Sequence, residues 1–212
     1  MASWTSASRI CTRRLSGSAS SSFRNNAEAT SRRGAHVILV SGPTDLAVPE
    51  GVDWVPVRSA ENMRDAVRER AAEANVIIMA AAVVDYRPVA AQQQKIKRGE
   101  GRLTLDLEPN PDILAELGHE LNKAQAQHPR CVLVGFAAET SALAENARSK
   151  LARKGADMIV ANDVTQEGAG FDTDTNIVTI FTRDGRELPL PKLAKFEVAN
   201  RILDRVLELQ SR

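Results

Sequence analysis

Side chains able to do chemistry are concentrated in four short segments, each of which directly follows an aliphatic run of about strand length. The segments span residues 41–43, 81–85, 136–140 and 161–163. Most of their residues are small, which allows a ligand to approach the backbone, while Asp85, Asn162 and Asp163 add carboxylates and an amide. These segments therefore hold the candidate binding residues, with Asn162 and Asp163 as a candidate substrate rim.

Two clusters of basic residues add positive charge. Residues 95–98 end a long polar loop, and residues 150–154 occupy the last turns of a predicted helix. Each cluster also has a simple structural interpretation, because charged loops are solvated and cations favour a helix C-terminus. If both clusters lie at one edge of the fold, they suit a ligand that carries phosphate.

Only certain architectures would bring these segments together. Aliphatic runs at residues 35–40, 76–83, 131–136 and 158–161 predict strands buried on both faces. Amphipathic patterns predict helices at residues 59–75, 140–154 and 192–209. The alternation predicts an α/β fold: a Rossmann-like, doubly wound, mainly parallel sheet with helices on both faces and a C-terminal hairpin plus helix. Ligands bind at the carboxyl ends of such strands, where all four segments fall.

Composition excludes several classes of protein. A net charge of +1 and an aromatic content of 4% argue against nucleic-acid binding, and no apolar run approaches the length of a membrane span. The two cysteines cannot form a disulfide framework, which indicates a reducing compartment, and the dispersed histidines do not suggest a metal cluster. A nicotinamide-dependent oxidoreductase is disfavoured because no Gly-x-Gly-x-x-Gly segment follows a strand.

The first 33 residues differ from the rest of the chain. They hold six arginines and nine serines against one acidic residue, and they show no helical or strand period. We therefore predict that residues 1–33 are a disordered tail and that residues 34–212 are the folded domain. Two other interpretations stay open: a mitochondrial or plastid transit peptide, or a stretch from a shifted reading frame or wrong start site.

Seven short motifs follow one another along residues 34–206. They are Val40-Ser41-Gly42-Pro43, residues 81–87, Lys95-Ile96-Lys97, residues 110–113, residues 135–140, Lys150-x-x-x-Lys154-Gly155 and residues 161–164. In this order and spacing they resemble the phosphopantothenate–cysteine ligase family in its bacterial form, usually the C-terminal half of a bifunctional phosphopantothenoylcysteine decarboxylase/ligase. No single motif decides the resemblance; the ordered set makes it specific.

The resemblance implies a ligase of coenzyme A biosynthesis that joins 4′-phosphopantothenate to cysteine, with CTP or ATP as co-substrate and Mg²⁺. The carboxylate would attack the α-phosphate and release pyrophosphate, and the cysteine amine would then displace the nucleoside monophosphate from the acyl-nucleotidylate. It also implies a cytoplasmic homodimer that associates with a flavin-dependent decarboxylase.

The resemblance also implies the site residues. Those implied in nucleotide binding are Met79, Ala80, Ala81, Asp85, Lys95, Pro111, Asp112, Ile113, Leu114, Phe136, Lys150 and Lys154. Among them Lys95 would be the catalytic residue, which stabilises phosphate charge from a closing flap. Residues 1–33 do not match the family's first strand or its Asn-x-Ser-Ser-Gly-Lys-Met-Gly-type segment, so the domain is expected to lack that strand. An alternative function is therefore a nucleotide-binding remnant without full turnover.

Overall fold

The computed structural model describes residues 9–14, 22–81, 83–90, 102, 104–124, 131–166 and 173–211. The strands are β1 (Arg9–Arg14), β2 (His36–Ser41), β3 (Val52–Pro56), β4 (Val76–Met79), β5 (Tyr86–Pro88), β6 (Leu107–Pro109), β7 (Val132–Glu139), β8 (Met158–Asp163), β9 (Thr175–Asn176), β10 (Val178–Thr182), β11 (Glu187–Pro189) and β12 (Leu193–Ala194). The helices are α1 (Ser22–Arg32), α2 (Ala60–Ala71), α3 (Ile113–Ala124), α4 (Leu143–Lys154) and α5 (Lys195–Gln210).

Eight strands form one sheet in the order β11-β10-β8-β7-β4-β1-β2-β3. From β3 to β8 every neighbouring pair is parallel, and β10 and β11 continue the sheet in the antiparallel sense. All four residues of β4 are buried, as expected for an aliphatic strand covered on both faces. The predicted α/β fold with a mainly parallel sheet and a C-terminal hairpin plus helix is confirmed.

Helices cover both faces of this sheet. On one face α2, α3 and α4 pack on the strands through buried residues that include Met63, Leu117 and Ala147. On the other face α5 packs on alternate strand residues such as Val76 and Ile78. Side chains alternate between the two faces of the sheet along each strand, and apolar residues recur about every 3.6 positions along each helix. The apolar residues are therefore divided between the two sides of the sheet. No described helix is long and apolar enough to cross a membrane.

The N-terminal residues correct one prediction. We expected residues 1–33 to be disordered and the first strand to be missing, but β1 lies inside the sheet and pairs in parallel with both β2 and β4. Sequence reasoning missed it because three of the six strand residues are arginines, whereas interior parallel strands are usually aliphatic. Residues 1–8 and 15–21 lie outside the described residues.

Helix α1 also belongs to the domain rather than to a tail. Phe23 and Ala27, one turn apart, are buried against Val37 and Leu39 of β2. Just after the helix, the Arg33 guanidinium donates to the Asn200 side chain at 2.8 Å and pairs with Asp204 at 2.7 Å, both in α5. The folded domain therefore extends N-terminal to the boundary at residue 34 that composition suggested.

Candidate functional site

A cleft of about 400 Å³ opens where β4 ends, beside β7 and the first turn of α3. Its lining residues are Met79, Ala81, Val83, Val84, Asp85, Pro109, Asn110, Pro111, Asp112, Ile113, Leu114, Phe136, Lys150 and Lys154. They come from four separate stretches of sequence, at residues 79–85, 109–114, 136 and 150–154. The parallel sheet brings them together because the chain leaves each strand at the same edge.

The chain leaves the sheet earlier than predicted at the end of β4. The aliphatic run continues to Val84, but β4 ends at Met79. Val84 is 70% exposed, and both it and Ala81 line the cleft. Small residues at this point leave room for a ligand beside the backbone.

Gly135 allows α3 to lie close to the floor of the cleft. A Cβ atom on this residue of β7 would be 2.7 Å from Leu114 Cδ2 and 2.8 Å from Ile159 Cδ1. Real Cβ atoms do not approach other atoms so closely. A side chain at position 135 would therefore force the ends of the Leu114 and Ile159 side chains to shift, and Leu114 lines the cleft from the first turn of α3.

Two loops form the rim of the cleft and are joined by Asn110. Its side-chain amide donates to the Val84 carbonyl at 2.9 Å, and its backbone amide donates to the Asp85 carbonyl at 2.8 Å. The segment that carries Asp85 is thus fixed to the segment that leads into α3.

Arg87 connects the same rim to the β5–β6 ribbon and to α2. Its guanidinium pairs with Glu108, its register partner across the β5–β6 ribbon, and with Glu61 in the first turn of α2, each at 2.9 Å. It also lies 3.5 Å from the Asn110 side-chain oxygen. The ribbon is therefore attached both to α2 and to the rim of the cleft.

Lys150 and Lys154, one turn apart on α4, place two ammonium groups in the cleft. Lys150 Nζ donates to the Phe136 carbonyl at 2.9 Å. Burial lowers the pKa of Lys150 below the ordinary 10.5. The nearby negative charge of Glu139 acts to raise that pKa, and the positive charge of Lys154 lowers it further. Lys154 is largely buried and pairs with Asp112.

Asp112 has two partners. One carboxylate oxygen accepts from the Ala115 amide at 3.2 Å, which caps the start of α3, and the other pairs with Lys154. Burial raises the pKa of Asp112, but the hydrogen bonds from Lys154 and Ala115 outweigh it, so that the pKa lies below its ordinary 3.8. The carboxylate is therefore ionised at neutral pH and balances part of the lysine charge.

Asp85 differs from Asp112 because the structure describes no salt bridge or hydrogen bond of its carboxylate with another described residue. It is exposed and lines the cleft. Among the described residues no group of three or more His, Cys, Asp or Glu side chains could hold a metal ion. A single carboxylate fits Mg²⁺ that arrives on substrate phosphates, since this ion is usually bound by one or two carboxylates together with phosphate and water.

The structure brings together most of the residues predicted for the site. Those in the cleft are Met79, Ala81, Asp85, Pro111, Asp112, Ile113, Leu114, Phe136, Lys150 and Lys154. Ala80 does not line it and instead packs beside Phe23 and Val37 on the other face of the sheet. Lys95 lies outside the described residues. Their roles in binding stay predictions.

The candidate substrate rim of Asn162 and Asp163 is not part of this cleft. Asn162 is buried near the end of β8. The Asp163 carboxylate accepts from the Thr165 hydroxyl and from the Gln166 side chain at 2.9 Å, and these bonds hold its pKa below the ordinary value. Asp163 thus stabilises its own turn.

Four residues of the cleft were not selected individually from the sequence, although Val83 and Val84 belong to the candidate segment of residues 81–85. They are Val83, Val84, Pro109 and Asn110. Asn110 stands in one of the recognised motifs, next to residues that were selected, so its position was the available signal. Nothing in the local pattern showed that its side chain would join the two loops.

Comparisons with known proteins agree with this architecture. Residues 8–209 match the family described as DNA/pantothenate metabolism flavoprotein C-terminal domain, so the match includes β1 and α1 and corrects the expectation that residues 1–33 lie outside it. The coenzyme A biosynthesis bifunctional protein CoaBC of Bacillus subtilis is 46% identical over 184 residues, which cover 86% of this chain and 44% of that protein. The homologue from Mycobacterium bovis is 41% identical over 187 residues, again with 44% of its length covered. The chain thus spans less than half the length of these relatives.

Solved structures match over nearly the whole chain. The crystal structure of the C-terminal domain of a coenzyme A biosynthesis bifunctional protein CoaBC superposes with a TM-score of 0.76 at 34% identity and covers 96% of both chains. A DNA/pantothenate metabolism flavoprotein from Streptococcus pneumoniae, at 20% identity and a TM-score of 0.75, shares the fold. The resemblance inferred from the motifs is confirmed: this chain belongs to the DNA/pantothenate metabolism flavoprotein C-terminal domain family.

Proposed function

We propose that the chain is a phosphopantothenate–cysteine ligase that uses a nucleoside triphosphate, with CTP as the expected co-substrate. The observation that carries this proposal is the cleft itself, where small residues after β4 face Lys150 and Lys154 of α4. A narrow site with two ammonium groups at one wall suits a nucleotide whose phosphates need neutralising. The relatives named for coenzyme A biosynthesis support the choice of substrates.

The reaction divides into two steps. The carboxylate of 4′-phosphopantothenate attacks the α-phosphate of CTP, which forms an acyl-cytidylate and releases pyrophosphate. The amine of cysteine then attacks the acyl carbon, loses a proton, and displaces CMP as the amide forms. Positioning and charge neutralisation supply most of the catalysis in such a sequence.

The residues predicted for the site have distinct roles in this proposal. Met79, Ala81 and Phe136 would enclose the nucleoside, while Lys150 and Lys154 would hold the triphosphate. Lys154 would exchange part of its pairing with Asp112 for a phosphate oxygen. Asp85 would hold Mg²⁺ against the phosphates, where the ion neutralises charge. Lys95, which lies outside the described residues, would contact the phosphates, as the resemblance implies.

Ligand binding and turnover test the proposal in two stages. We expect CTP with Mg²⁺ to raise the melting temperature of the protein, with a smaller effect from ATP and none from NADPH. We then expect pyrophosphate release that needs 4′-phosphopantothenate, and formation of phosphopantothenoylcysteine once cysteine is added, detected by mass spectrometry. Stabilisation by NADPH alone would contradict the nucleotide ligase.

The second candidate is a nucleotide-binding remnant without full turnover. It is favoured by a sequence observation: β1 occupies the position of a first strand, but residues 1–33 do not contain the family's Asn-x-Ser-Ser-Gly-Lys-Met-Gly-type segment. The remnant predicts CTP binding, with or without pyrophosphate release, and no phosphopantothenoylcysteine. Detection of that product at any steady rate excludes it.

The wider setting of the enzyme belongs to the same proposal. We infer a homodimer in the cytoplasm, as the resemblance implies. We also infer cooperation with a flavin-dependent decarboxylase, because the bifunctional relatives contain more than this domain in one chain. A mitochondrial or plastid location is the alternative. Sedimentation analysis and co-purification with a decarboxylase test the assembly.

A further inference from the structure

Helices α3 and α4 touch at a point where only glycine fits. A Cβ atom on Gly118, in the middle of α3, would overlap the carbonyl oxygen of Lys154 and would lie 3.0 Å from its carbonyl carbon. The obstacle is backbone, which cannot rotate away as a side chain could. The two helices are therefore in direct backbone contact at the residue whose ammonium group lies in the cleft.

Polar contacts on the same side of α3 hold this junction together. One turn after Gly118, the Asn122 side chain donates to the Gly155 carbonyl at 3.1 Å. Arg183, which follows β10, donates to the Asn122 side-chain oxygen at 2.9 Å and also to the Gly155 carbonyl. Gly155 ends α4 in the left-handed conformation, with φ of 61°. The C-terminus of α4 is thus fixed to both α3 and β10.

The junction connects the two halves of an ion pair. Asp112 immediately precedes α3, and Lys154 is the last residue of α4. Because both helices are nearly rigid, their spacing at Gly118 determines the distance between the carboxylate and the ammonium group. The same spacing determines how far Lys150 and Lys154 extend into the cleft.

We propose that Gly118, supported by Asn122 and Arg183, is a positioning residue that sets the location of the Lys150 and Lys154 ammonium groups in the cleft. Gly118 touches no ligand in this proposal and acts only through α4. A side chain at position 118 would separate the helices and move both lysines away from the triphosphate.

The Gly118→Ala variant of the whole chain tests this in two independent measurements. We expect the dissociation constant of CTP to rise about tenfold, which corresponds to the loss of one charge-assisted contact. The dissociation constant of CMP should rise less than about twofold. This measurement rests on the nucleotide-binding function proposed above. Independently of any nucleotide, carboxyl NMR titration should show the pKa of Asp112 returning toward its ordinary value as Lys154 moves away.

Two further variants make the result decisive. Gly34→Ala replaces a glycine far from the junction, in the left-handed conformation with φ of 85°, where a Cβ meets nothing within 4 Å. This control should lower stability without changing the Asp112 titration or the ratio of CTP to CMP affinity. If Gly118→Ala does not fold, Asn122→Ala, which loses the bond to Gly155, should show the same changes at smaller size. An unchanged Asp112 titration in the folded variant would overturn the proposal, even if the wild type fails to bind CTP.

Discussion

Lys150 combines a positive charge with a half-buried position. Its ammonium group reaches the Phe136 carbonyl, and burial lowers its pKa, with Glu139 opposing and Lys154 adding to the effect. A lysine in such a place loses its charge at a less alkaline pH than a solvated lysine does. Any anion that depends on Lys150 should therefore bind in a pH-dependent way.

We predict that CTP affinity falls as the pH rises through the lowered pKa of Lys150. The reason is that only the protonated amine attracts phosphate, so the dissociation constant should increase up to roughly tenfold when the charge is lost. Lys150→Arg, which keeps its charge over this range, should flatten the profile, and Lys150→Met should be weak at every pH. Calorimetric titration from neutral to alkaline pH provides the measurement. Parallel profiles for wild type and Lys150→Arg would contradict the role.

Asp112 should make stability depend on acidity. Its pKa in the folded protein lies below the unfolded value, so its ionised form stabilises the fold above the unfolded pKa, and this contribution disappears as the pH falls through the folded pKa. Asp112→Asn keeps a capping side chain and should cost less than about 1 kcal/mol at neutral pH, because the Asp112 side chain is half exposed and water screens the pair. Asp112→Ala also loses the cap and should cost about 1 kcal/mol more.

Urea unfolding at neutral and acid pH measures both effects. The difference between wild type and Asp112→Asn should shrink toward zero as the pH falls, whereas the cap contribution that separates Asn from Ala should remain. A difference that stays constant with pH would mean that the Asp112–Lys154 pair does not contribute to stability.

The β5–β6 ribbon depends on one arginine for its attachment. Arg87 joins Glu108 on the ribbon to Glu61 on α2 and approaches Asn110 at the rim of the cleft. With two carboxylates around one partly exposed guanidinium, the attachment should be worth about 1 kcal/mol.

Removal of that arginine should loosen the ribbon more than the sheet. In Arg87→Ala we expect faster hydrogen exchange at the Val89 and Asn110 amides, which bond within this region, and unchanged exchange in β4 and β7. Glu61→Gln should give the same pattern at smaller size, since Arg87 keeps Glu108. Uniformly faster exchange across the sheet would show that Arg87 supports the whole fold instead.

Element boundaries show what the sequence predicted well and what it did not. The helix α2 was predicted to begin at Ser59, and the Ser59 side chain does cap it by accepting a hydrogen bond from the Asn62 amide. This prediction succeeded because a capping signal is local. The end of β4 was predicted four residues too late, at Val83 instead of Met79. The aliphatic pattern persists there, but the chain has to turn away from the sheet to form the cleft, and local hydrophobicity does not contain that information.

At the scale of the molecule, the sheet depends on a strand of unusual composition. β1 separates β2 from β4, so its backbone must satisfy hydrogen bonds on both sides. Hydrophobic periodicity predicted β2, β4, β7 and β8 and the helices α2, α4 and α5, but it missed α1. It did not predict β1, because the arginines at positions 9, 13 and 14 interrupt the aliphatic pattern expected of an interior strand. The place of β1 is determined by its neighbours in the sheet.

A proline in β1 tests whether the sheet needs that strand. Thr12 is paired with Leu39 of β2 and with Ile78 of β4, so Thr12→Pro removes a ladder hydrogen bond inside the sheet and should lower the free energy of unfolding by about 3 kcal/mol. Thr12→Val keeps the backbone amide and should remain close to wild type. Urea denaturation followed by circular dichroism compares them. Equal stability of the proline and valine variants would contradict an interior position for residues 9–14.

The cleft draws on β4, α3, β7 and α4, which are separated by as many as 75 positions between Met79 and Lys154. No fragment shorter than that interval contains both walls. During synthesis, a ribosome must release residues through the end of α4 before both walls of the cleft, and with them the proposed nucleotide site, can form. Because long-range contacts of this kind form slowly, we expect binding of the proposed nucleotide to appear only once both walls of the cleft have folded, so that binding would report a folded cleft.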